Sequence, residues 1–382
     1  MPWRECSTMS SREEFLTLAE QPGVSFSQLC ERFGISRKTG YKWLRRYREG
    51  GVGGLADRSR RPQHSPGRSG SVTEGQVLAI RDEYGWGARK IKWCLERAGG
   101  RPLAKSTVHS ILLRHGRVPD APGKTAGAYR RFEKERPNQL WQMDFKGHFC
   151  LGDRTRCHPL TVLDDHSRYS LCLEACRDER TATVRDRLTA TFRRYGLPER
   201  MLMDNGPPWG NDLSCKFTPL TVWLLRLGIA VTHGRPYHPQ TQGKEERFHR
   251  SLKVEVLAHR VFADFPHMQS RFDDWRHCYN HLRPHEALGM DVPASRYEVS
   301  ARSLPEQLPP IEYGPVDQVR KVQVGGEISF RRRHFKLGKA FRGHAVALRP
   351  ATADGLYDVY FATHRIAQID LHHASIRRVA DH

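Results

Sequence analysis

Leu140 to Phe149 reads LWQMDFKGHF, and here the chain changes its period. Before it, apolar residues recur at three- and four-residue intervals. Within it, Trp141, Met143 and Phe145 alternate with Leu140, Gln142 and Asp144, which is the two-residue period of a strand. HPLTVLDD (158–165) and YSLCLEAC (169–176) continue as two more strands of a meander. A helix from about Thr181 carries Val184, Leu188 and Phe192 inward and stops at Gly196, ahead of Pro198. ERMLMDNG (199–206) reads as a strand, FTPLTVWLLRLG (217–228) as a helix and IAVTHG (229–234) as a short strand. YHPQTQGKEERFHRSLK (237–253) then opens a long helix. Strands first, then helices alternating with strands, imply an α/β domain with a mixed sheet.

The segment in front of this domain reads as helical. In FSQLCERFGISRKTGYKWLRRYREGG (26–51), a helix over Ser27 to Phe33 and another over Arg37 to Arg48 flank a turn at Gly34. Leu29, Cys30 and Phe33 line one inner face, and Gly40, Trp43, Leu44 and Tyr47 the other. The outward face of the second helix carries Arg37, Lys38, Thr39, Lys42, Arg45 and Arg46, the pattern of a DNA-binding helix-turn-helix. A helical hairpin with a solvated basic face is the alternative. Gly51 to Ser71 reads as a flexible tether. A second helical unit follows at 72–117. Thr73 with Gln76 reads as a capping box; Val77, Ile80 and Tyr84 share one face, Ile91, Leu95 and Ala98 another. Ser106 then caps a helix burying Val108, Ile111 and Leu112. A basic linker leads into the α/β domain. Past about Ser300, two β-rich runs with turn signals at Gly325-Gly326 and Asp354-Gly355 imply a small β-barrel at 312–382.

The 382 residues include 63 Lys plus Arg against 42 Asp plus Glu, a formal charge of +21. An excess of that size favours a polyanionic partner, because phosphate contacts release condensed counterions. Nine cysteines scattered over a long chain do not form a disulfide framework and suit a reducing compartment. No signal-peptide pattern is present, and the longest apolar run contains Arg226 and is too short to span a bilayer. The expectation is a soluble, cytoplasmic protein associated with DNA.

Strand-borne aspartates in apolar settings need a partner for their charge. A structural arginine would serve for either Asp144 or Asp204 alone. Two such aspartates with a glutamate on a later helix instead make an oxygen-rich site for Mg²⁺ or Mn²⁺. Asp164-Asp165 is expected to cap a strand end and pair with Arg168. Cys172 and Cys176, about 13 Å apart on an extended strand, cannot share one ion. Cys150 with Cys157 and His158 is a weaker alternative set across a hairpin. Trp209 and the Pro207-Pro208 pair are expected to shape a mobile loop.

WQMDFKG, MLMDNGPPW, YHPQTQGKEERFHRSLK and YNHLRPHEALGMDVPASRY, in that order, resemble the signature segments of DDE transposases of the insertion-sequence group that shares its core with retroviral integrases. The resemblance covers about Leu140 to Tyr297. It implies a ribonuclease H-like core (138–300) with a triad of Asp144, Asp204 and Glu246, counted three residues on from Gly243. Between the aspartates lie 59 residues and between Asp204 and Glu246 lie 41. The second gap is longer than usual in the family, and PPWGNDLSCKF holds the excess. The resemblance further implies two metal ions bound by the triad, hydrolysis freeing the element's 3′ end, and attack of that hydroxyl on target DNA. Helix phase places Glu246 with His249, Arg250 and Lys253, and turns Glu245 partly toward the domain body. Lys244, Arg250 and Lys253 are the candidate DNA-binding residues of this helix. Double-stranded DNA, as element ends and target, and a homo-oligomer on DNA are the implied partners. Rival readings are a regulator on an inactive transposase scaffold and a ribonuclease H-like nuclease.

Overall fold

Ser7 opens the first helix, α1 (Thr8–Ala19), by accepting from the Ser10 amide. α2 (Phe26–Arg32) and α3 (Arg37–Gly50) follow. The coordinates are a computed structural model of the chain and describe residues 7–58, 68–100, 102–118, 133–210, 217–234, 243–258 and 260–378. Contacts divide the chain into two units, Met1–Gly70 and Ser71–His382.

In the first unit Gly34, at φ 63°, makes the turn between α2 and α3, and Ser36 caps α3 by accepting from the Thr39 amide. Phe15, Leu16, Leu29, Cys30, Trp43 and Leu55 form its core. Gly40 is a poor helix former in the middle of α3, and packing explains it. A Cβ there would lie 2.7 Å from Cys30 Sγ and 3.0 Å from the Phe15 and Phe26 rings. Gly40→Val is therefore expected to destabilise this unit by about 1–3 kcal/mol through overpacking. A denaturation midpoint at or above wild type would contradict that. The tether expected from Gly51 is shorter than its composition suggests. Gly51–Leu55 is a 3₁₀ turn with Leu55 fully buried, and Arg12 Nη1 donates to the Leu55 carbonyl at 2.7 Å. Residues 59–67 lie outside the described residues.

The second unit begins with α4 (Ser71–Tyr84), α5 (Ala88–Arg97) and α6 (Lys105–Arg114) around Val77, Trp86, Ile91, Val108, Ile111 and Leu112. Two caps read from the sequence are displaced. α4 starts at Ser71, so Thr73 falls in its first turn, and Ala104, not Ser106, is the N-cap of α6. Ala98 caps the C-terminus of α5 and is exposed.

The mixed sheet comprises β1 (Trp141–Phe145), β2 (Phe149–Cys150), β3 (Arg156–Asp164), β4 (Ser170–Cys176), β5 (Arg200–Met203) and β6 (Ala230–His233). β1, β3 and β4 form the antiparallel meander, and β5 and β6 add in parallel beside β1. The opening stretch is two strands rather than one. Gly147, at φ 85°, ends β1, and Phe149–Cys150 folds back on β3. α7 (Thr181–Tyr195) and α8 (Pro219–Arg226) share one core with Trp141 and Met143. α9 (Gly243–Leu252) and α10 (Phe265–His277) share another with Leu163 and Leu173. The sheet is thus covered on both faces.

The C-terminal module is antiparallel β. β7 (Gln318–Lys321), β10 (Ala345–Pro350), β11 (Leu356–Phe361), β12 (His364–Asp370) and β13 (Ser375–Arg378) make a five-stranded sheet of order β13-β12-β11-β10-β7. β8 (Glu327–Phe330) and β9 (Arg333–Lys336) form a separate hairpin whose Ile328, Phe330 and Phe335 are buried. Its turn is Arg331-Arg332, both at positive φ, while Gly325-Gly326 forms the tight turn expected of it one connection earlier, between β7 and β8, where the Gly326 amide donates to the Gln323 carbonyl at 2.9 Å. The left-handed conformation that a two-residue hairpin demands is taken here by arginines, with Arg331 Nη2 donating to the Tyr357 hydroxyl at 3.1 Å. Asp354-Gly355 does lie in the β10–β11 connection.

Candidate active site and DNA-facing helices

β1 and β5 run parallel with Trp141 opposite Met201 and Gln142 opposite Leu202. Continued by two residues, that register sets Asp144 level with Asp204 at the carboxyl ends of neighbouring strands, about 4.8 Å apart. This is the edge of an open α/β sheet where ligands bind. Asp204 is steadied by the Gly206 amide donating to Oδ1 at 3.1 Å and by His233 Nδ1, 2.8 Å from its carbonyl oxygen. Burial, and secondarily the charge of Asp204, push the Asp144 carboxyl up to about 7; burial also raises that of Asp204. Among the described residues no lysine or arginine comes within ion-pair distance of either aspartate. His249 Nδ1 is 3.9 Å from Asp144 Oδ2. Burial lowers His249 to about 3, so it stays neutral and supplies no charge.

Beneath Asp144 lies a closed polar knot. Thr161 is the register partner of Asp144 across β3. Its Oγ1 lies 2.9 Å from the Asp144 carbonyl, 3.1 Å from Glu245 Oε2 and 2.9 Å from His249 Nε2. The Thr161 hydroxyl hydrogen is shared between two acceptors, the Asp144 carbonyl and Glu245 Oε2. Glu245 is 1% exposed, and burial first, then the charge of Asp144, raises its carboxyl well above the ordinary range. Its Oε1 has no hydrogen-bond partner among the described residues.

The candidate site residues therefore separate. Asp144 and Asp204 come together. Glu246 does not join them: it lies on the exposed face of α9, with Arg250 and Lys253. His249 leaves the expected stripe and turns inward at 12% side-chain exposure. Lys244, expected on DNA, is corrected by the structure. It turns into the core, where Nζ lies 2.5 Å from Asp165 Oδ1, because a fully buried carboxylate needs a cation. Arg168 is corrected likewise, pairing with Glu133 at 2.8 Å rather than with Asp164 or Asp165. Asp164 does cap the strand end, accepting from the Ser167 amide at 2.7 Å. Trp209 is buried and stacks on Phe145 with 5.5 Å between ring centroids, part of the core rather than of a moving loop. No group of three His, Cys, Asp or Glu side chains among the described residues is arranged to hold a metal, which covers the cysteine sets too.

Sequence reading missed Glu179. Its Oε1 is 2.8 Å from His158 Nδ1, and its charge adds to the upward push on both Asp144 and Asp204. The one available signal was an acid just past the end of a strand two places from β1. On α3, Arg37, Lys38, Lys42 and Arg45 are exposed, whereas Arg46 is half-buried, its guanidinium 5.1 Å from the Trp43 ring centroid.

Known domain families map onto these pieces. The integrase core domain matches residues 134–239 and 227–293, and the C-terminal domain of IS481 family transposases matches 317–377. A helix-turn-helix domain matches 11–63 and a homeodomain-like domain 39–112. These are domains of insertion-sequence transposases and of proteins with a retroviral-integrase-like core.

The chain is 30% identical over 160 residues to the insertion element IS476 uncharacterized 39.2 kDa protein of Xanthomonas euvesicatoria, which covers 41% of this chain and 44% of that one. It is 26% identical over 234 residues to the insertion element IS407 uncharacterized 31.7 kDa protein of Burkholderia multivorans, covering 58% and 80%. The match thus spans less than half of the first relative. Among solved structures, the HTLV-2 integrase catalytic core domain in complex with magnesium aligns at TM-score 0.32 and 13% identity, covering 43% of this chain and 99% of that one. A simian T-cell lymphotropic virus intasome aligns at TM-score 0.36 and 15% identity, covering 80% and 99%. Among the described residues no helix is long and apolar enough to cross a membrane.

Proposed function

We propose that the chain is a transposase that binds the ends of its own element and catalyses 3′-end cleavage and strand transfer, with Asp144, Asp204 and Glu246 as ligands for two divalent cations, Mg²⁺ or Mn²⁺. The observation that carries this reading is the pair of level, half-buried aspartates with no lysine or arginine in ion-pair distance among the described residues. Burial raises both carboxyls and the charge of Asp204 raises Asp144 further, so added positive charge is favoured there, and carboxylate oxygens suit a hard divalent ion. Bound there, such ions would supply the Lewis acidity that activates the attacking oxygen and stabilises the leaving one.

The chain's own part is to hold and orient. β1 and β5 fix the two aspartates, His233 and Gly206 hold Asp204, and Thr161 holds the Asp144 backbone. Glu246 is favoured over Glu245 as third ligand because it shares its face with Arg250 and Lys253, where DNA phosphate can arrive. Glu245 is enclosed beneath Asp144, and burial raises its carboxyl well above the ordinary range, which disfavours the charged form a cation would need. The setting for this activity is the bacterial cytoplasm, on DNA, with more than one copy of the chain on paired ends.

Incubating the purified protein with its flanking terminal repeats and Mn²⁺ tests the reading. Nicking at the 3′ ends followed by joining supports it. Binding without nicking would favour a regulator, and cleavage confined to RNA–DNA hybrids would favour a ribonuclease H-like nuclease. For the first helix-turn-helix, Lys42→Ala with Arg45→Ala is expected to weaken end binding. It should also flatten the log–log salt dependence by about one to two units, one per lost phosphate contact. A protein lacking residues 1–118 that still chose its own ends over random DNA would refute that assignment.

A further inference from the structure

The segment YNHLRPHEALG (279–289) is tied into the fold by side-chain hydrogen bonds from Asn280 and Arg283. Asn280 acts like a strand residue: the Ser170 amide donates to its Oδ1 at 2.8 Å and its Nδ2 donates to the Ser170 carbonyl at 3.0 Å. That anchors the segment to β4. Three residues on, Arg283 is 8% exposed and turns to the helix that carries Glu246. α9 continues beyond Leu252 into a π-helical turn, Lys253–Leu257, and Glu255 lies on that turn. Arg283 Nε donates to Glu255 Oε1 at 3.0 Å, and Nη2 donates to the same oxygen at 2.8 Å and to Ser251 Oγ at 3.0 Å. Trp275 Nε1 donates to Glu255 Oε2 at 2.9 Å, so both carboxylate oxygens are held.

We infer that Arg283 is a positioning residue for the proposed active site, setting the rotation of α9 and with it the direction in which Glu246 points. The inference rests on the metal reading given above. Its physical basis is leverage. Ser251 and Glu255 lie five and nine residues beyond Glu246 on one continuous helix, so a turn of the helix at Glu255 is a turn at Glu246. The apolar residues Phe248 and Leu252 bury one face of α9, and apolar burial is non-directional. A planar guanidinium bonded in a fork to a fixed carboxylate resists rotation, because its donors are directional. The anchor is the sheet itself, through Asn280 and Ser170, so α9 is referenced to the same β-structure that carries Asp144. The turn also receives the second helical unit, where Arg89 Nη1 is 3.2 Å from Glu286 Oε2.

The test is Mn²⁺ binding by calorimetry on the full chain without DNA, in wild type, Arg283→Gln, Glu255→Gln and the double variant. Thermal unfolding of each is recorded alongside. Arg283→Gln is expected to weaken Mn²⁺ binding about tenfold. Glu255→Gln should do the same, and the double variant no more than the worse single, since both remove one interaction. Ser251→Ala, which removes one contact and no charge, should give a smaller loss and guards against misfolding of the others. Lowered melting temperatures with Mn²⁺ affinity within twofold of wild type in Glu255→Gln and Ser251→Ala would overturn the inference, leaving Arg283 as a stabilising residue only. Mn²⁺ binding that is indifferent to Asp144→Asn would instead overturn the metal reading itself, and the positioning role with it.

Discussion

Asp144→Asn and Asp204→Asn should each abolish 3′-end cleavage, by at least about a hundredfold or more than ~2.7 kcal/mol of transition-state stabilisation. Binding to the terminal repeats should stay within a few-fold. The separation follows from where these residues sit. Each amide is isosteric with its acid, and Asp144 and Asp204 end strands buried between two layers of helices. The candidate DNA-facing cations Arg37, Lys38, Lys42 and Arg45 are on a separate unit. Replacing one member of a repelling carboxylate pair also relieves the other, so melting temperatures should hold steady or rise. Gel-shift titrations and a strand-cleavage assay with Mg²⁺ on the same preparations decide the matter. Cleavage retained in either variant would remove both aspartates from the chemistry.

The second large effect is expected from two adjacent glutamates with opposite surroundings. Glu246→Gln should remove strand transfer, whereas Glu245→Gln should keep at least about a tenth of it. Glu245 is enclosed beneath Asp144, and burial raises its carboxyl well above the ordinary range. A glutamine amide fills the same volume, and its Oε1 can accept from Thr161 Oγ1 as the carboxylate does, so little is lost. Glu246 is exposed beside Arg250 and Lys253, and exchanging it for glutamine removes a charge the proposed site needs. Joining of pre-processed ends, measured with Mg²⁺ for both variants, gives the answer. The reverse ranking would mean that the glutamate under Asp144 is the ligand and that α9 presents its other face to DNA.

Much of this was legible in the sequence because it rests on local periodicity. The alternation in WQMDF, the meander that follows it and the helix ended by Gly196 depend on neighbours within a few residues, and the structure has each of them. So does the inward turn of Glu245, which follows from a helix advancing about 100° per residue. The helix-turn-helix around Gly34 was readable for the same reason, although the cost of Gly40 was not explained until Cys30, Phe15 and Phe26 were seen packed against it.

What only the tertiary structure decided are pairings between distant segments. Lys244 reads as a DNA-facing cation beside a glutamate-rich turn, yet a buried Asp165, 79 positions away in the chain, draws it inward. Arg168 answers Glu133 and not its neighbouring aspartates. Glu179 reaches the site's electrostatics only because β4 lies two strands from β1. Two consecutive arginines make a hairpin turn that no glycine marks, between β8 and β9. The cause is common to these cases: secondary structure is chosen by the spacing of apolar residues along the chain, whereas the partner of a buried charge is whichever opposite charge folding brings within reach. Composition and period determined a basic chain with helical units ahead of a mixed-sheet domain, and its motifs carried the likeness to integrase cores; which charges pair with one another inside the fold was decided only in three dimensions.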